Sequence, residues 1–108
     1  MLTLPIKKKW YDMILSGEKK EEYREQKPYY TTRFVNLGLL SPWLNVPTGE
    51  KQDIILRNGY CHNAPTAMAK VTLRIRVGRP EWGADPGVQY YVLEILEVHE
   101  LDPDSWLM

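Results

Sequence analysis

Between Val71 and Val77 apolar and polar residues alternate without a break, and this alternation constrains the fold more than any other stretch. A period of two is the signature of a half-buried strand. Val71, Leu73, Ile75 and Val77 are expected on the core face, and Thr72, Arg74 and Arg76 outward. The next strong run, Gln89 to Leu96, contains Tyr90-Tyr91-Val92-Leu93 without a polar interruption, which calls for cover on both faces. Two such strands late in the chain demand a sheet, and the earlier residues must supply its cover.

That cover reads as one short helix and further strands. Leu2 to Ile6 reads as a first strand. From Lys8 to Ser16, Trp10, Met13 and Ile14 fall at helical spacing, and Gly17 stands where a left-handed cap belongs. Lys7, Lys8 and Lys9 crowd the helix start, the wrong end for cations unless an anion is bound there. Lys20 to Gln26 is a second strand with no apolar face, so one of its faces meets solvent or lines a polar cleft. Lys27 to Pro47 reads as irregular, broken by Pro28, Gly38, Pro42 and Pro47. Asp53 to Arg57 is a short strand with a turn at Asn58-Gly59, and Gly78 to Gly87 is a loop. At least four strands and one or two short helices predict a single α+β domain over residues 1–108, built on a curved sheet or a small curved β-barrel.

The formal charge is zero, but it is unevenly spread. Residues 1–80 hold all 14 Lys and Arg, and residues 81–108 hold seven acids and no Lys or Arg. Such polarity predicts either oppositely charged strands side by side or a face for anions. No apolar run reaches the roughly 20 residues that cross a bilayer. The first residues lack a basic-then-apolar leader, and a single cysteine fits a reducing compartment, so the expected location is cytoplasmic. Cys61, His62 and His99 lack metal-ligand spacing, and no cofactor motif is present, so neither metal nor cofactor is expected.

The candidate chemistry lies at the helix-to-strand corner, where Gly17, Lys19, Glu22 and Arg24 form the pattern G-x-K-x-x-E-x-R. A lysine and an arginine around one glutamate make a cluster in which Glu22 orients the cations or moves a proton. Downstream, Tyr29, Tyr30 and Arg33 interleave rings and charge as a stacking platform for unpaired bases does. Arg57 extends a basic stripe suited to phosphate. Glu94, set in an apolar run, needs a cation or a shifted pKa, and is a second acid/base candidate.

The corner motif, the preceding WYDMILSG and the segments EYREQKPYYTTRF, ILRNGY and WGADPG resemble the ASCH domain family of the PUA-like superfamily, in a branch associated with phages and prophages. The resemblance implies a five- or six-stranded barrel with a cleft beside the corner, and RNA or a nucleoside as ligand. Members similar in fold remove the acetyl group of N4-acetylcytidine with a lysine, a threonine and a glutamate, and another is a ribonuclease. Lys19 matches that lysine and Glu94 the remote glutamate, but Glu22 takes the threonine's place. A carboxylate is a poor replacement for a hydroxyl nucleophile, so the expectation moves from hydrolysis toward RNA binding. A host protein is the remaining candidate partner, bound through the aromatic loops.

Overall fold

The computed structural model describes residues 1–101. Strand β1 (Thr3–Ile6) leads into helix α1 (Lys8–Leu15), β2 (Glu21–Arg24) and helix α2 (Pro28–Asn36). Strands β3 (Gln52–Asn58) and β4 (Thr66–Val77) follow, then a 3-10 turn (Pro80–Trp82) and β5 (Gln89–Glu100). One five-stranded mixed sheet has the order β1-β3-β4-β5-β2, parallel between β1 and β3 and antiparallel elsewhere.

The expected barrel does not close. β1 and β2 remain as edges, and in place of a ladder the Arg24 guanidinium of β2 donates to the Pro5 carbonyl of β1 at 3.0 Å. The sheet has curled until its edges face each other across a gap. Two features keep strand hydrogen bonds from filling that gap. Pro5 has no N–H to give, and the side chains of Glu22, Arg24 and Trp10 occupy the space.

β4 and β5 pair along their whole lengths and form the spine. The register slips between Lys70 and Val71, where Leu96 has no partner. This bulge lets Ile95 and Val98, three residues apart, both pack against the core. On the inner face lie Ala67, Ala69, Val71, Leu73, Tyr91 and Leu93, met by Tyr11 and Ile14 of α1 and Phe34 of α2. The outer face is also covered locally, as the YYVL run requires: Tyr90 and Val92 pack with Tyr23, Ala84 and Trp82. Basic β4 and acidic β5 do lie side by side, with Arg74 3.1 Å and Arg76 3.5 Å from Glu94.

Two readings need correction. Val77 ends β4 beyond the cover and is 48% exposed, so alternation there outlasts the core. The segment read as irregular contains α2, started by Pro28 at its first turn, where a missing N–H costs nothing. Its core-facing stripe is buried Phe34 with partly buried Tyr30 one turn earlier, and the weak helix formers Thr31 and Thr32 obscure it in the sequence. After α2 the chain makes a hydrogen-bonded loop, Leu40 bridging Pro47, whose tip leaves Trp43 and Leu44 exposed.

Gly78 marks where the covering loop crosses the sheet. A Cβ there would stand 2.6 Å from the Ala84 methyl and 2.7 Å from the Tyr23 ring. Gly78→Ala is therefore expected to cost about 1–3 kcal/mol by overpacking, read as a lowered urea midpoint at unchanged slope. An unchanged midpoint would show that Tyr23 moves aside freely.

Candidate functional site

The corner is built by the end of α1. Ser16 donates from its N–H to Asp12, Gly17 to Ile14 and Lys19 to the Met13 carbonyl at 3.0 Å. Gly17 has φ +85°, which a side chain would strain, and this left-handed step turns the chain back so that Lys19 points into the protein. Lys19 is 1% exposed. Its Nζ donates to the Trp82 carbonyl at 2.6 Å and lies 3.3 Å from Glu22 Oε1. The rings of Tyr23 and Trp10 flank it at 4.8 and 5.3 Å, close enough for cation–π attraction. Burial holds its pKa below the ordinary lysine value, opposed by the Glu22 charge and reinforced by Arg24.

Glu22 is buried between two cations. Arg24 Nη1 lies 3.5 Å from its Oε2, and the Tyr23 N–H donates to Oε1 at 3.3 Å. Arg24 spends its own hydrogen bonds on backbone, the Tyr23 carbonyl at 2.7 Å and the Pro5 carbonyl across the gap. Lys19, Glu22 and Arg24 thus converge on one cluster, as their spacing suggested.

In front of the cluster, the gap between β1 and β2 opens into a cleft of about 510 Å³. Its aromatic residues are Trp10, Tyr23, Tyr29, Tyr30, Tyr60 and Trp82, and its charged groups are Lys7, Glu22, Arg24 and Arg33. Arg33 stacks over Tyr29 at 3.4 Å, and Arg24 lies 5.9 Å from the Tyr30 ring. The first turns of both helices border this space through Lys7 and Trp10, and through Tyr29 and Tyr30. Neither helix start carries an acidic residue or a side-chain cap, so both leave positive backbone ends without a protein counter-charge.

Four of the residues singled out in the sequence line the cleft with Glu22: Arg24, Tyr29, Tyr30 and Arg33. Lys19 stands behind it. Arg57 does not line it; this residue lies on β3 in register with Pro5. Glu94 is also elsewhere. It pairs in register with Glu21 on β2, and its carboxylate joins Arg74, Arg76 and Glu21 in a chain of ion pairs on the outer face. Its cation is therefore structural, and Glu94 has no line to Lys19.

Sequence reasoning missed Lys7, Trp10, Tyr60 and Trp82 as cleft residues. Trp10 fits a helical apolar stripe and reads as core. The one signal toward the others is the lysine cluster at the wrong end of α1. Cys61 is exposed, and the described residues hold no group of three or more His, Cys, Asp or Glu placed for a metal. No described helix is long and apolar enough to cross a membrane. Comparison with protein-family models, with curated proteins and with solved structures gives no match.

Proposed function

We propose that this cleft binds single-stranded nucleic acid, most naturally RNA, by taking up an unstacked nucleotide. The observation that carries the reading is one cleft combining six aromatic residues, three cations and a buried carboxylate between the open edges of the sheet. Rings offer stacking surface that any base satisfies, worth about 1–3 kcal/mol per base. Lys7, Arg24, Arg33 and the two uncapped helix starts meet phosphate charge. The ASCH-like corner motif supports RNA over DNA, and on this reading the open seam between β1 and β2 is the ligand entrance.

Binding is favoured over hydrolysis by the position of Lys19. Its Nζ is committed to the Trp82 carbonyl and to Glu22 and does not line the cleft, so it has no approach to a bound scissile bond. Its lowered pKa follows from burial and needs no catalytic explanation.

The test is fluorescence anisotropy with a ten-nucleotide single-stranded RNA across a salt series. Neutralising a single-strand phosphate contributes about −0.7 to the log–log slope, so three cations predict a slope of roughly −2. Arg33→Ala is expected to weaken binding and to make the slope shallower by about 0.7. Absence of measurable affinity at low salt would sink the proposal.

A further inference from the structure

We infer that the cleft selects guanine, with Glu22 as the residue that reads the base; this rests on the nucleotide-binding reading above. The argument starts from what Glu22 has left to offer. A carboxylate has about four lone-pair sites and no donor. Its oxygens meet Lys19 at 3.3 Å and Arg24 at 3.5 Å, and the Tyr23 N–H at 3.3 Å. These are long contacts. The hydrogen bonds of both cations are directed instead at carbonyls, Lys19 at Trp82, Arg24 at Tyr23 and Pro5. Glu22 is therefore held in place by charge while acceptor capacity remains, and it lines the cleft.

A carboxylate has two acceptor oxygens and no donor of its own, and its neighbours Lys19 and Arg24 direct their hydrogen bonds at backbone carbonyls, so it is a selective reader. Guanine alone among the four bases presents two adjacent donors on its Watson–Crick edge, N1–H and the 2-amino group, spaced to meet both oxygens of one carboxylate. Adenine and cytosine each offer one amine next to a ring nitrogen that would face the second oxygen with its own lone pair. Uracil offers one N–H flanked by two carbonyls. A flipped base stacked among Trp10, Tyr30 and Trp82 presents that same edge to the floor of the cleft. A good bidentate contact discriminates by roughly ten- to a hundredfold.

The experiment is a set of equilibrium titrations of the protein with the four nucleoside 5′-monophosphates and inosine 5′-monophosphate, at one low salt concentration. Guanosine monophosphate is expected to bind at least tenfold tighter than the other three. Inosine monophosphate, which lacks only the 2-amino group, is expected to lose about tenfold, and this arm needs no altered protein. Glu22→Gln, which places a donor beside an acceptor, is expected to lose the guanine preference and shift toward adenine. Equal affinity for all four bases, or for guanosine and inosine monophosphates, overturns the guanine assignment while leaving the cleft as a nucleotide site. Mononucleotides that fail to bind beside an RNA that does also overturn it, because a base read by a charged floor carries affinity of its own. Failure of both RNA and mononucleotides overturns the assignment together with the reading beneath it.

Discussion

Lys19→Met is expected to lower stability by about 3–5 kcal/mol, while the double variant Lys19→Met/Glu22→Leu stays within about 1 kcal/mol of the parent or exceeds it. The single change leaves the Glu22 carboxylate buried with only Arg24, 3.5 Å away, to meet its charge. The double change removes both buried charges and refills the space with carbon. Arg24 keeps its two carbonyl partners in either variant. The preference for guanine is expected to disappear in the double variant despite its stability, while stacking and phosphate contacts remain. That outcome would identify the pair as retained for the ligand. Urea midpoints and mononucleotide titration of both proteins decide it, and a double variant that keeps the guanine preference would remove Glu22 from base reading.

The same pair sets a pH dependence. The folded pKa of Lys19 lies below its ordinary value of 10.5, so over the interval between the two the unfolded chain holds the extra proton. Stability attributable to Lys19 therefore rises as pH climbs through that interval and flattens above it. Relative to the double variant, the parent protein should gain stability as alkaline pH approaches 10.5 from below. A gap that stays constant over that range would show that Lys19 titrates as it does in the unfolded chain.

Phe34→Ala should have the second large effect, a loss of about 3–5 kcal/mol together with the cleft's aromatic wall. The Phe34 ring is wholly buried, edge-on to Tyr91 at 5.3 Å and stacked with Tyr30 at 6.2 Å. It is the chief apolar anchor of α2, which otherwise touches β5 through the hydrogen-bonded hydroxyls of Thr31 and Tyr91. A nine-residue helix cannot hold itself together in water, so its order depends on this docking. Tyr29, Tyr30 and Arg33 ride on α2, and RNA affinity should fall at least tenfold with it. Hydrogen exchange would show the α2 amides losing protection before those of β4 and β5. Uniform loss across the protein would instead mean that α2 is part of the global unfolding unit.

How much of this was legible in the sequence follows from which forces are local. Period-two patterning located β4 and β5 because alternation is written residue by residue, and the YYVL run announced cover on both faces. Gly17 marked the end of α1 because its positive φ is a local requirement. The helix α2 was hidden because its apolar stripe is only Tyr30 and Phe34, and its stability comes from contacts with a strand over 50 residues away. The corner motif pointed to Lys19, Glu22 and Arg24, but spacing could not say that Lys19 lies behind the cleft and not in it. Glu94, set in an apolar run, reads as an acid needing a cation, and it is only partly buried. Its partners turned out to be Arg74 and Arg76, since pairing in register with Glu21 sends it to the opposite face. Strand count allows a curved sheet or a small barrel, and the closed barrel implied by the resemblance fails for a reason that only the meeting of two distant edges can reveal.

That open seam also bears on how the protein behaves in a crowded solution. Unpaired strand edges are templates for the strands of other copies, and the sheet of the described residues has two. Both are only four residues long. The Leu2 carbonyl accepts from Ile55 of β3 and the Ile6 carbonyl from Gly59 just beyond it, which leaves Pro5 facing the seam, so the exposed edge lacks a donor at its centre. The matching acceptor is already occupied by Arg24. One proline and one guanidinium thus deny a second molecule both halves of a strand ladder. The entrance kept open for a ligand is by the same chemistry closed to aggregation.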